Sequence, residues 1–285
     1  MKKIKIIFLV ILSVISLNAE VVTVVPYSGI LDYDSNSIKS SGTINGVYVS
    51  SGTLSYLAEF SYTSTDVKYK QSTDDLKQNE FTFVYNRYFK THSFKVGIHS
   101  NSTTDDTLQN GSTLILGMQK WKYKGYSKFT YGLDYYNSFY GNGQDLNDNN
   151  ATVTVIQFTP YFSYYKPYRR FSSLISGKVN FETINAYKDD STYTSYELKD
   201  KFFYKKGYLE LGYFGGRLRT GIKDGGMTVY NSKDIITQIL SVKAGYYINR
   251  RLNTSLSYSL SNYDEYNNAD DLSNSVLVMT LSYTF

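Results

Sequence analysis

The sequence predicts an all-β fold: a transmembrane antiparallel up-and-down β-barrel of about fourteen strands, with twelve as the alternative count. Three observations carry this prediction. Large apolar residues alternate with small or polar ones along most of the chain, which is the period-2 signature of a strand whose two faces meet different surroundings. The composition is rich in Tyr (31), Phe (16) and Gly (20) but otherwise polar, as expected when apolarity is confined to one face and aromatic rings sit at interfaces. The connections between strands fall into two kinds that alternate along the chain.

Residues 1–19 precede the barrel. Lys2, Lys3 and Lys5 lead into an apolar run over residues 6–17, and Leu17-Asn18-Ala19 offers a small-residue cleavage site. This reads as a secretory signal peptide, with residues 20–285 forming the barrel domain. The run is too short to span a bilayer as a helix, and the absence of cysteine excludes both a lipid-modified anchor and a disulfide framework. Three of the 30 basic residues lie in this leader, so the remainder exceeds the 25 acidic ones by only two. That balance gives no reason to expect nucleic acid as a partner.

Residues 21–31 and 42–50 read as strands with poor alternation, and Pro26 stands where a strand should donate a hydrogen bond. From Leu54 the pattern sharpens: Leu54, Tyr56, Ala58, Phe60 and Tyr62 alternate with Ser55, Glu59, Ser61 and Thr63. Phe81, Phe83 and Tyr85 then oppose Glu80, Thr82 and Asn86, and Phe94, Val96 and Ile98 oppose Lys95 and His99. Residues 114–122 and 129–135 form the next pair, with Lys128 and Asp134 on the polar face of the second. Residues 152–165, 171–187 and 194–204 continue, placing Lys178, Glu182, Glu197, Lys199 and Lys201 inward. The strand beginning at Leu209 has Glu210 inward. Past Gly215-Gly216 the apolar parity passes to Leu218 and Ile222, which predicts a bulge with Arg217 and Arg219 turned inward. Residues 235–248, with Lys243 inward, and 252–263 precede the last strand.

Short connections carry Lys90, Lys122, Lys124, Lys166, Arg169, Arg170, Lys205, Lys206, Arg250 and Arg251 beside aromatic residues. Long ones, at 101–111, 141–150, 188–192, 224–234 and 264–273, are rich in Asp, Asn, Ser and Thr. Short turns at one end, long loops at the other and aromatic girdles between them are what a bacterial barrel requires.

The closing stretch alternates Leu277, Met279, Leu281 and Tyr283 with small polar residues and stops on Phe285. It resembles the terminal strand of the Gram-negative outer-membrane β-barrel (porin-like) superfamily. That resemblance implies a location in the outer membrane, contact with its lipid and lipopolysaccharide, and recognition of these five residues by the barrel-assembly machinery. Nothing in the sequence fixes an oligomeric state.

No constellation argues for catalysis, metal binding or a cofactor, and the expectation is a protein that is not an enzyme. His92 lies in a basic turn. His99 shares inward parity with Lys95 and precedes Asp105 and Asp106, superficially like the rim of outer-membrane proteases, but Asp pairs recur in several loops. His92-Ser93 and His99-Ser100 are adjacent and so fall on opposite strand faces, unlike a phospholipase pair. Asp145, Asn147 and Asn149 begin like a calcium loop, yet Asn150 replaces the turn glycine and Ile156 the final Glu. The expected function is a porin-like channel for small polar or anionic solutes, lined by Lys95, Lys178, Glu182, Glu197, Lys199, Lys201, Arg217 and Arg219. The alternative is a closed barrel acting through its outer loops.

Overall fold

The computed structural model describes residues 21–70, 75–104, 111–144, 150–185, 191–224, 227–229, 234–266 and 268–285. The leader, the acidic pairs Asp105-Asp106 and Asp189-Asp190, and the calcium-like run from Asp145 to Asn149 lie outside them. The chain forms β1 (Val21–Tyr33), β2 (Lys39–Gly52), β3 (Tyr56–Tyr69), β4 (Leu76–Tyr88), β5 (His92–Thr103), β6 (Ser112–Lys124), β7 (Ser127–Gln144) and β8 (Asn150–Pro167). It continues with β9 (Ser172–Asn185), β10 (Ser191–Tyr204), β11 (Gly207–Leu218), the two-residue strands β12 (Ile222–Lys223) and β13 (Thr228–Val229), β14 (Ile235–Tyr247), β15 (Leu252–Asp264) and β16 (Leu272–Thr284). All except β12 and β13 pair antiparallel with their neighbours in one closed fourteen-stranded barrel, sealed by β1 against β16.

Register explains why the first two strands read weakly. The β1–β16 ladder passes from Val24↔Tyr283 directly to Tyr27↔Thr280, so Pro26, which has no N–H, sits at the interruption while pairing with Val47 on the other side. On the outer face Ser28 donates to Asn45 at 2.8 Å, replacing two apolar residues by a self-satisfied polar pair.

The distribution of side chains is inverted relative to a water-soluble domain. Met279 is 59% exposed, with Leu277, Leu281 and Tyr283 also outside, whereas Gln157, Asn180 and Glu182 are fully buried. So much apolar area facing outward from nearly every strand is stable only in a lipid-like surrounding. At the turn end the rings form a girdle with the basic residues: Tyr168 stacks on Phe171 at 4.5 Å, Phe89 on His92 at 4.8 Å, and Lys128 lies over Trp121 at 5.0 Å. Phe285 closes the seam by donating its N–H to the Val22 carbonyl at 2.9 Å.

Register slips between Gly215 and Leu218, with Gly216 at φ +102°, so the expected bulge is present. Its consequence is the reverse of the expectation. Leu218 and Ile222 turn into the barrel, because apolar partners await them there: Leu218 packs on Phe214 and Ile239, and Ile222 on Val84, Ile115 and Tyr136. The connection after β11, expected to stand outside, begins by folding inward.

Candidate functional site in the barrel lumen

Two strands carry the inserted segment by hydrogen bonds that satisfy its backbone. Glu182 on β9 accepts the N–H groups of Arg219 at 3.0 Å and Thr220 at 3.1 Å, and the Thr220 hydroxyl at 3.4 Å. Gln157 on β8 makes two bonds of 2.8 Å to Ile222, accepting from its N–H and donating to its carbonyl. Its amide also reaches Asn180, which donates to Ser195 on β10 at 3.0 Å. Backbone groups buried away from the strand ladders must find such partners. The β12–β13 hairpin then packs Met227 against Val84, Ile115 and Tyr136 and lays Lys223 over the Phe214 ring at 4.7 Å.

Beyond the hairpin's base lies a cluster of charges. Lys199 is 2.9 Å from Glu197 and 3.0 Å from Asp224, Lys223 is 2.9 Å from the other Glu197 oxygen, and Lys178 is 3.4 Å from Glu197. Two further pairs complete this wall: Lys95 with Asp134 at 2.9 Å and Lys201 with Glu210 at 3.6 Å. Between them lies a cavity of about 440 Å³, bounded by Tyr161, Lys178, Lys199 and Asp224, beside a smaller one of about 270 Å³ that shares Lys95, Gln119, Tyr161 and Asp224 with it.

The opposite wall is chemically different. β15 turns Ser255, Ser257, Ser259 and Ser261 inward, paired with Thr280, Val278, Val276 and Asn274 of β16. Small side chains project little, and Ser257, Ser259, Ser261, Val276 and Val278 are half-exposed to the interior. Among the described residues, the hairpin's contacts are with β4 and β6 to β11, across the lumen from this wall.

Of the expected pore residues, Lys178, Glu197 and Lys199 meet in the lower charge network, Lys95 and Lys201 form separate pairs with Asp134 and Glu210, and Glu182 serves the hairpin backbone. Arg217 and Arg219 are not beside Lys199. Arg217 is displaced to the loop-end rim, its side chain 57% exposed, where it meets Asp264 at 3.3 Å. The Arg219 guanidinium lies over Tyr266 at 5.3 Å. The bulge reverses the parity on which their placement depends. Gln157, Lys223 and Asp224 were not anticipated; the available signal was Leu218, Ile222, Met227 and Val229, apolar residues that a solvated loop has no use for.

At the loop-end rim, Lys39 pairs with Asp234 and lies 3.6 Å from Glu265, which also accepts from Ser37 at 2.8 Å and from the Ile38 N–H at 3.0 Å. Tyr263 donates to Ser37 at 3.0 Å. This ties the β1–β2 connection to the segments around Asp234 and Glu265. His99 is buried with its Nδ1 2.8 Å from the Thr82 hydroxyl. His92 is exposed, stacked on Phe89.

No protein-family model and no curated protein sequence matches the chain. Among solved structures it is similar to the toluene transporter TbuX of Ralstonia pickettii, with a TM-score of 0.54 and 8% identity over 94% of this chain and 90% of that one. It is also similar to CymD, a monoaromatic hydrocarbon channel, with a TM-score of 0.52 and 9% identity over 95% and 90%. At such identity the likeness is one of fold. The chain has the fold of the outer-membrane β-barrel proteins.

Proposed function

We propose that the protein is a porin-like channel of a Gram-negative outer membrane, passing small polar or anionic solutes by passive diffusion and performing no catalysis. The observation that carries this reading is the asymmetry of the lumen: the hairpin covers the charged wall, while the wall of β15 and β16 offers half-exposed Ser and Val along a continuous inner face. A barrel of this strand number is wider than side chains alone can fill, which supports water in the remaining space. Among the described residues, three lysines, Lys178, Lys199 and Lys223, flank the two carboxylates Glu197 and Asp224, which supports a preference for anions. In this reading the outer face meets lipid and lipopolysaccharide, and Leu277, Met279, Leu281, Tyr283 and Phe285 address the assembly machinery.

The rim network of Lys39, Asp234 and Glu265 favours a second reading, a closed barrel acting through its outer loops. Planar-bilayer recording of the refolded protein separates the two. The channel reading expects steady conductance with a reversal potential on the anion-selective side in a KCl gradient, shifting toward zero in Lys199→Gln plus Lys223→Gln. Absence of current from protein that keeps heat-modifiable migration would discard it.

A further inference from the structure

The hairpin tip has the geometry of a ligand. Asp224 reaches from the inserted segment into a group of three ammonium ions and lies 3.0 Å from Lys199. It is the most open member of that group, its side chain 45% exposed, whereas Lys199 is 28%, Lys178 15% and Lys223 8% exposed. Its backbone sits at φ +50°, in the left-handed region that Asp adopts more readily than most residues with a Cβ. Glu182 and Gln157 hold residues 219–222, Lys223 meets Glu197, and Met227 packs on the wall, whereas the Asp224 carboxylate is held by Lys199 and by an internal bond from Thr228 at 3.1 Å. Next to it lies the cavity of about 440 Å³, with Tyr161 on its far side.

From this arrangement we infer that the lysine group is a binding site for small organic carboxylates, and that Asp224 is the chain's own stand-in for the ligand. This rests on the channel reading for its biological sense, but not for its chemistry. A solute carboxylate takes the place of the Asp224 carboxylate on Lys199 and Lys178, and its body occupies the cavity beside Tyr161. A carboxylate is the fitting anion because the site already accommodates one, with a charge-assisted bond from Lys199 to one oxygen and a hydroxyl bond from Thr228 to the other. Asp224, displaced, leaves the group, so that binding removes one tie on the hairpin and weakens the seating of Met227 while residues 219–222 stay pinned. The hairpin is then a competitor that sets the threshold concentration for the solute.

The test uses the refolded full chain in detergent, with gluconate as the probe in isothermal titration calorimetry. Asp224→Asn is expected to bind gluconate at least about tenfold more tightly than wild type, since the internal competitor loses its charge. Glu59→Gln removes a lumenal carboxylate that is held instead by Tyr48 and Asn86. It is expected to change affinity by less than about threefold. Lys199→Gln is expected to weaken binding by at least about tenfold. Affinity unchanged in Asp224→Asn, or raised equally in Glu59→Gln, overturns the stand-in role, and full binding by Lys199→Gln overturns the site.

Should Asp224→Asn fail to fold, Met227→Cys supplies a second measurement in a chain with no cysteine. Its labelling by a charged thiol reagent is expected to accelerate with gluconate and not with chloride at equal ionic strength; an unchanged rate overturns the displacement. Gluconate binding by a protein that carries no current discards the channel and keeps the site, and current without binding does the opposite.

Discussion

Gln157 illustrates how one residue decides the shape of the lumen. Its amide offers one donor group and one acceptor at the height where Ile222 has both backbone groups without a strand partner, and the two bonds of 2.8 Å close a pseudo-ladder between a side chain and a main chain. Gln157→Leu fills nearly the same volume but abandons both groups of Ile222 in a buried place. Each abandoned group costs about 1–3 kcal/mol, charged to the inserted segment rather than to the barrel. The expected outcome is rapid amide exchange at Ile222 and its neighbours with unchanged urea unfolding of the strands. Equal protection in the variant would mean that the apolar contacts of Ile222 and Met227 suffice. Nothing in the sequence around Gln157 marks it, because its strand reads as an ordinary alternating one and its partner is 65 residues away.

At the scale of the element, the strands were legible and their faces were assigned by parity. The reason is local: a strand exposes alternate residues to opposite sides whatever the rest of the chain does. This makes a paired prediction on β15 and β16. Met279→Arg places a cation on the lipid face and is expected to destabilise the barrel by about 2–4 kcal/mol in vesicle-based urea unfolding. Ser257→Arg, on the inner face and half-exposed, is expected to leave stability nearly unchanged while reducing conductance. Similar loss of stability in both would contradict the assigned faces. Parity failed at β11, where Leu218 was placed outside. Gly216 at φ +102° alters the count of residues, and alternation alone cannot say on which side the chain resumes.

For the molecule as a whole, the decisive feature is that a connection fills part of the space its own barrel encloses. Fourteen strands leave more room than their inward side chains occupy, and the hairpin takes up a share of it. Replacing the segment from Gly221 to Val229 by a short Gly-Ser turn is expected to leave heat-modifiable folding intact and to raise single-channel conductance by at least about twofold. Unchanged conductance would locate the narrowest point elsewhere, at the rim where Lys39 meets Asp234. The lower charge network belongs to this scale too: Lys178, Glu197, Lys199 and Lys223 come from β9, β10 and β12, and the sequence presents them as separate inward charges.

The sequence by itself determined the barrel, the inward face of most strands and the end that carries the basic turns, and it narrowed the strand number to about fourteen or twelve. All of these follow from short-range rules: alternation, turn composition and the aromatic residues flanking each turn. Tertiary structure alone decided which inward charges neutralise one another, where Arg217 and Arg219 lie, and that the chain after β11 enters the lumen. Those outcomes depend on partners 38 residues apart for Glu182 and Thr220, 65 for Gln157 and Ile222, and 195 for Lys39 and Asp234. Closure of the barrel brings them together. Until it closes, Ile222, Met227 and Val229 mark the loop as ill suited to water, but no local pattern says which interior partners it meets.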